Sequence, residues 1–217
     1  PHKAEVVSTV IASDLAFPAQ QLSLVGGNLY YETYPPDELL YISTDLGDTW
    51  VTRDLSSLFQ WPYKVKVAYS TSENAWYFAY IEGEPITNGP ATNLRLAKST
   101  NGLDFVALAA SVKLPRIELN GDFHPIGNYM AKSIVVADGK IVVTVPKTNQ
   151  GSEDPCHVLV ATSEDGGATF LPLVETSYQA SISYLTHNGL NAPDGVFLLS
   201  GVWFNEPYGV PFAKSSD

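Results

Sequence analysis

An eight-residue motif recurs along the chain and limits the folds that the chain can adopt. The first copy occupies residues 43–50 (STDLGDTW), and residues 163–170 (SEDGGATF) repeat it almost position for position. A shortened copy lies at residues 99–105 (STNGLDF), and residues 215–217 (SSD) read as the opening of a fourth. The distance between copies is close to the length of one four-stranded sheet with its turns. The pattern therefore predicts a repeat protein made of such sheets.

The motif has the chemistry of a turn that closes on itself. An Asp or Asn after a strand accepts hydrogen bonds from backbone amides two or three residues on, and Ser or Thr hydroxyls bond the groups that remain. Gly supplies a backbone with positive φ, and the aromatic residue starts the next strand and buries its ring. We interpret the motif residues as structural, and they are Ser43, Asp45, Gly47, Trp50, Ser99, Asn101, Gly102, Phe105, Ser163, Asp165, Gly167, Phe170, Ser215 and Asp217.

The pattern S-x-D-x-G-x-T-W/F resembles the Asp-box of the sialidase-like and BNR-repeat β-propellers, and through its copies the resemblance covers the whole chain. It implies an all-β fold, a β-propeller of four-stranded antiparallel blades. It implies little about activity, because Asp-boxes occur in glycosidases, sorting receptors, assembly factors and virion proteins alike. In sialidases they also lie away from the catalytic centre.

The strand-like runs divide the chain into four expected blades within one propeller domain over residues 1–217. Their bounds are about 14–58, 59–111, 112–178 and 179–217. Residues 5–12 (EVVSTVIA) precede the first blade and match the strand that follows the motif elsewhere. Two arrangements are open. Either residues 5–12 form an outer strand that closes a four-bladed ring without a free edge, or the blades are part of a larger propeller.

Composition narrows the classes of partner. The net charge of −11 and only 12 Lys and Arg argue against nucleic acid, because phosphate binding needs clustered cations. One cysteine, Cys156, cannot form an internal disulfide framework or a structural zinc site. The four histidines are too far apart in sequence for a metal motif, and no apolar run is long enough to span a bilayer. We therefore expect no cofactor, no metal site and no membrane span.

Strand order predicts which loops share an end of the propeller. In a meander, alternate turns emerge at opposite ends, so the short turns at residues 26–27, 72–74 and 138–139 lie with the motif copies. The longer, more polar loops then share the other end, where binding groups usually concentrate. The longest, at residues 112–129, mixes Arg, two carboxylates and His. The predicted ligand-binding residues are Trp61, Tyr63, Arg116, Glu118, Asp122, His124, Glu206 and Tyr208.

These residues predict recognition more readily than catalysis. Aromatic rings can stack on sugar faces and Arg116 can bind a carboxylate. Sialidases place three arginines around the substrate carboxylate. Here Arg53 falls in an outer fourth strand and Arg95 in a third strand just before a motif copy, so neither should point into the central funnel. We assign no catalytic residues and leave open whether the protein is an enzyme.

The predicted function is a non-catalytic recognition or structural module. It would belong to a virion protein, in a phage tail or on a capsid surface, or to a secreted surface protein, and would bind glycan or protein. Other subunits of a larger assembly are further candidate partners. The alternative is a sialidase-like glycoside hydrolase whose catalytic residues lie partly outside this sequence.

Overall fold

The computed structural model describes most of the expected strands. The described residues are 21–32, 39–56, 58, 66–82, 93–115, 117–119, 122–124, 133–137, 139–146, 157–179, 182–187, 197–202 and 212–215. Several predictions fall outside these ranges, namely the strand at residues 5–12 and the residues Trp61, Tyr63, Arg116, Glu206, Tyr208 and Asp217.

Seventeen β-strands are formed by the described residues, and they are grouped into four sheets and one hairpin. The first sheet contains β1 (Gln21–Val25), β2 (Asn28–Glu32), β3 (Leu39–Ser43) and β4 (Val51–Asp54). The second contains β5 (Lys66–Ser70), β6 (Ala75–Glu82), β7 (Asn93–Ser99) and β8 (Val106–Lys113). The hairpin pairs β9 (Ile117–Leu119) with β10 (Asp122–His124). The third sheet contains β11 (Ser133–Ala137), β12 (Lys140–Pro146), β13 (His157–Ser163) and β14 (Val174–Gln179), and the fourth contains β15 (Ile182–His187), β16 (Phe197–Val202) and β17 (Phe212–Ser215).

Each sheet is an antiparallel meander in which strands consecutive in sequence are neighbours. The first strands meet in turn, since β5 contacts both β1 and β11, and β11 contacts β15. The sheets therefore follow one another around a line of first strands, as the blades of a β-propeller do. This confirms the expected all-β fold with four-stranded antiparallel blades. Within the ranges described above, no helix is long and apolar enough to cross a membrane.

The core lies between the sheets because the middle sheets are apolar on both faces. Successive side chains of a strand point to opposite faces, so Phe78 and Tyr80 of β6 face the first sheet while Tyr77 and Ile81 face the third. All four are buried. The first cluster, between the first and second sheets, also holds Tyr30, Leu40 and Ile42, and the second cluster, between the second and third sheets, holds Leu94, Leu96, Ile141, Val143 and Leu159.

Two parts of the structure differ from the strand pattern expected from the sequence. The motif predicts that Phe170 starts the last strand of the third sheet, but β14 begins only at Val174. Residues 169–173 lie outside any strand, and within them the Leu171 amide donates to the Thr162 carbonyl at 2.8 Å. The connection at residues 112–129, read from the sequence as a loop, contains the hairpin β9–β10.

Candidate functional site

The first and third motif copies form the same network of hydrogen bonds. In the first, the Ser43 hydroxyl donates to Asp45 Oδ1 at 2.7 Å and accepts the Gly47 amide at 2.7 Å. The Thr49 amide donates to Asp45 Oδ1 at 2.9 Å and its hydroxyl to Oδ2 at 2.6 Å.

The third copy places Ser163, Asp165, Gly167 and Thr169 in the same roles, with distances of 2.8, 2.9, 2.9 and 2.6 Å. We call these closed segments, at residues 43–50, 99–105 and 163–170, the Ser/Asp turns. In the first and third Ser/Asp turns, both oxygens of the aspartate carboxylate accept hydrogen bonds from within the turn.

The shortened copy closes with an amide in place of the carboxylate. Asn101 Oδ1 accepts the Ser99 hydroxyl and the amides of Leu103 and Asp104, each at 2.9 Å. Asn101 Nδ2 donates to Asp104 Oδ2 at 2.9 Å. The three copies therefore form similar closed turns, two with an aspartate carboxylate and one with an asparagine amide. Of the fourth copy, the structure describes only the backbone of Ser215, at the end of β17.

The aspartates of the Ser/Asp turns are strongly acidic. Hydrogen bonds from the Thr49 hydroxyl and amide, and then from Ser43, lower the pKa of Asp45 to about 2. The same donors in the third copy, Thr169 first, lower the pKa of Asp165 to about 2. A carboxylate stabilised in this way stays ionised and is a poor general acid or base near neutral pH. This chemistry agrees with the structural role expected from the sequence.

The second and third Ser/Asp turns also contact the sheet that precedes their own. The Tyr30 hydroxyl of the first sheet donates to the Gly102 carbonyl at 2.9 Å, and the ring centroids of Tyr30 and Phe105 lie 6.4 Å apart. One sheet further on, the Ala110 amide of β8 donates to the Gly167 carbonyl at 3.1 Å. A register shift in the β7–β8 pair frees this amide.

The Ser/Asp turns share their end of the propeller with the short turns between first and second strands. The Gly166 amide donates to the Gly139 carbonyl at 3.1 Å, and Lys140 Nζ lies 3.4 Å from Glu164 Oε1. We call this the turn end. The opposite end, where the first strands begin and the fourth strands finish, is the long-loop end.

A Tyr–Glu pair that the sequence analysis missed lies near the turn end. The hydroxyl of Tyr77 donates to Glu73 Oε2, which also accepts Lys98 Nζ at 2.5 Å. The hydrogen bond from Lys98 lowers the pKa of Glu73, whereas burial raises that of Tyr77. Tyr77 is buried in the core, so the trio links the turn at residues 71–74 to strands β6 and β7 of the second sheet.

The two described arginines make contacts within and between sheets. Arg53 of β4 pairs with Asp104 at 3.1 Å and donates to the Leu103 carbonyl at 3.3 Å, which ties the first sheet to the second Ser/Asp turn. Arg95 of β7 donates to Glu82 Oε2 at 3.0 Å near the long-loop end. Neither arginine is available for a three-arginine substrate site.

A cleft opens between the second and third sheets, towards the long-loop end. Its volume is about 430 Å³. The residues that line it are Lys113, Leu114, Pro115, Leu159, Leu173 and Glu175. Leu114 and Leu159 are 2% and 1% exposed and form the floor, whereas the side chains of Lys113 and Glu175 are exposed at the rim.

The structure brings part of the predicted ligand stretch to this cleft. Lys113 and Pro115 belong to residues 112–129, and the hairpin that follows contains three of the predicted ligand residues. In the antiparallel register of this hairpin, Glu118 pairs with Phe123, Asp122 with Leu119 and His124 with Ile117. The predicted ligand residues do not include Leu173 or Glu175, because the sequence predicts an ordinary strand from Phe170 onwards.

No metal site is evident in the part of the chain that the structure describes. Within those ranges, no group of three or more His, Cys, Asp or Glu side chains is gathered to hold an ion.

Comparisons with known proteins identify related folds. No protein-family model matches the sequence, and no curated protein matches it. Among solved structures, a protein of unknown function from Dyadobacter fermentans is 16% identical with a TM-score of 0.56, over 90% of this chain and 59% of that one. An α-L-arabinanase from Penicillium chrysogenum, complexed with arabinobiose, is 18% identical with a TM-score of 0.53, over 90% and 62%.

The GH43_1 enzyme from Xanthomonas citri, complexed with xylotriose, is 12% identical with a TM-score of 0.51, over 95% of this chain and 72% of that one. The chain thus spans about 60% of the length of the first two proteins. At these identities the likeness shows the fold alone, which is that of part of a β-propeller.

Proposed function

We propose that this chain is a non-catalytic carbohydrate-binding β-propeller module that recognises its ligand at the long-loop end. The observation that carries the proposal is the difference between the two ends. At the turn end, short turns are closed by their own hydrogen bonds. Towards the other end, a cleft of about 430 Å³ opens beside the connection that carries Arg, carboxylates and His. Two propellers of similar fold were solved with bound saccharides, which supports this class of ligand.

The hydrogen bonds and ion pairs of four described carboxylates support a non-catalytic role. Glycoside hydrolysis uses two carboxyl groups that flank the scissile bond. Asp45 and Asp165 are used within their turns, Glu82 pairs with Arg95, and Glu73 bonds Tyr77 and Lys98. No two of these four carboxylates face each other at the long-loop end.

The finer assignments belong to the same proposal. We infer that the Ser/Asp turns are Asp-boxes, and that the four sheets are blades of one propeller domain with bounds near 14–58, 59–111, 112–178 and 179–217. Trp61, Tyr63, Arg116, Glu206 and Tyr208 remain proposed ligand residues beside Glu118, Asp122 and His124. An extracellular, cell-surface or virion location would give such a module access to glycans.

The test separates binding from turnover. The protein should bind members of a glycan array, and calorimetry with xylotriose and arabinobiose should give saturable binding. Incubation with the same oligosaccharides and with fluorogenic pentosides should release no sugar or fluorophore. Release of sugar or fluorophore in proportion to protein concentration and time would show that the protein is a glycoside hydrolase and contradict the non-catalytic role. An array without hits, together with flat calorimetric titrations, would rule out carbohydrate recognition.

A further inference from the structure

We propose that the cleft between the second and third sheets is itself the saccharide site and takes a neutral sugar unit; this rests on the proposed carbohydrate recognition. The site lies between two blades, at the ends of β8 and β13–β14, and not on the line of first strands. Its ligand would be an uncharged pyranose or furanose unit of a larger glycan.

The size and floor of the cleft fit one or two sugar rings. Its volume of about 430 Å³ falls within the range of small-molecule sites. Leu114 and Leu159 are almost fully buried and hold the floor in place, and Pro115 and Leu173 are half-buried beside them. A sugar ring presents C–H groups on one face, and these can cover such an apolar floor and release its water.

The two charged residues at the rim fit sugar hydroxyls. The Lys113 ammonium offers three donors, and the Glu175 carboxylate offers acceptors only. A hydroxyl can accept from the first and donate to the second, so neighbouring hydroxyls of one ring can bind both. The two charges sum to zero. Among the described residues that line the cleft, no cation is in surplus, so a neutral sugar is favoured over an acidic one.

The walls of the cleft are fixed before any ligand arrives. Glu175 pairs with Leu159 across β13 and β14, and the register shifts between Leu159 and His157. There the Thr176 hydroxyl donates to the Val158 carbonyl at 2.9 Å. Bulges of this kind redirect a strand next to binding sites. Since each wall belongs to a sheet anchored in the core, little ordering should oppose binding.

The experiment measures binding of xylotriose to the whole chain by ¹H–¹⁵N NMR titration. We expect Lys113→Ala and Glu175→Gln each to raise the dissociation constant about tenfold, and Leu173→Trp to abolish binding by filling the cleft. The matched controls are Lys140→Ala and Glu164→Gln, which make the same kinds of substitution at the turn end, away from the cleft, and should bind as the wild type does. Unchanged amide spectra away from the substitution will verify that each variant is folded.

The outcomes separate the cleft from the wider proposal. If all three cleft variants bind xylotriose as the wild type does, the cleft is not the saccharide site, although the protein still binds carbohydrate. Absence of binding by the wild-type protein to xylotriose and to every array glycan would overturn both. A glucuronic-acid oligosaccharide serves as the charged probe. If it binds more tightly than xylotriose, the preference for a neutral sugar is wrong.

Discussion

At the scale of single residues, Leu46 and Gly166 occupy the same position in two Ser/Asp turns. Leu46 has φ +57° and Gly166 has φ +69°, so both adopt the left-handed conformation. A side chain makes this conformation costly, whereas glycine adopts it freely but loses more entropy on folding. The leucine is exposed, and a Cβ at Gly166 would meet nothing within 4 Å. The two sites therefore differ mainly in backbone strain.

We expect Leu46→Gly to stabilise the protein by about 0.5 kcal/mol, because relief of strain outweighs the added entropy of the unfolded chain. The reciprocal change, Gly166→Leu, should destabilise it by a similar amount. Urea unfolding of both variants will measure the two free energies. If both changes destabilise the protein, side-chain contacts of Leu46 rather than its backbone govern this position.

The acidity of Asp165 predicts a pH dependence of stability. Its folded pKa of about 2 is below the ordinary aspartate value of 3.8, so the folded state favours the ionised form. This contribution is fully present above about pH 4 and is lost as the pH falls towards 2. Asp165→Asn should flatten the loss of unfolding free energy in that window. Thermal melts between pH 2 and 6 will compare the two proteins.

Asn101 provides a control for this measurement because it holds the equivalent position without a charge. Asn101→Ala removes the same kind of turn contact and should lower stability by a constant amount across the range. A pH profile for Asp165→Asn that runs parallel to that of the wild type would contradict the assigned pKa.

At the scale of elements, the joint between the second and third sheets depends on Gly167. A Cβ on this residue would lie 2.5 Å from Leu108 Cδ1, and its φ of +92° is unfavourable for other residues. We expect Gly167→Ala to cost about 2–4 kcal/mol, from strain and overpacking together. Gly139→Ala, with φ +79° and open space around it, should cost only about 1–2 kcal/mol.

Chemical unfolding will give both free energies, and Leu108→Ala in the Gly167→Ala background tests the contact directly. This second change should restore part of the loss. Equal losses for Gly167→Ala and Gly139→Ala would mean that Leu108 moves aside freely.

The sheets were predictable from the sequence because the motif marks the same turn in the first three of them. Alternating apolar residues and short glycine turns then place the strands on either side. The start of β14 was not predictable, because the motif places an aromatic residue at position 170 whether or not the next strand begins there, and residues 169–173 lie outside any strand. The hairpin β9–β10 was missed for a related reason, because its strands are only three residues long.

At the scale of the whole molecule, the candidate site was predictable only in part. The meander indicated the end towards which the cleft opens, and residues 112–129 include Lys113 and Pro115 of its lining. The other wall could not be read from the sequence, because Glu175 reaches the cleft through a register shift that has no sequence signature. A cleft between two sheets depends on how the sheets pack, and the residue pattern of a single strand does not predict that packing.

The sheets also differ in how well they are covered. Leu22 and Leu24 of β1 are 47% and 64% exposed, whereas Ile134 and Val136 of β11 are 7% and 8% exposed. Protection from hydrogen exchange follows burial and contact density. We expect the hydrogen-bonded amides of β1 to exchange faster than those of β11, as measured by mass spectrometry at neutral pH. Equal protection of the two strands would show that they open together in one cooperative unit.

The bonds from Tyr30 to Gly102 and from Ala110 to Gly167 bear on how such a protein can evolve. The same few residues close a turn and join it to the neighbouring sheet. A gene segment that encodes one sheet with its turn therefore carries its own connector. Tandem duplication can add a unit without a new interface arising by chance, and later substitutions in the loops at the far end can diversify recognition while the connectors stay the same.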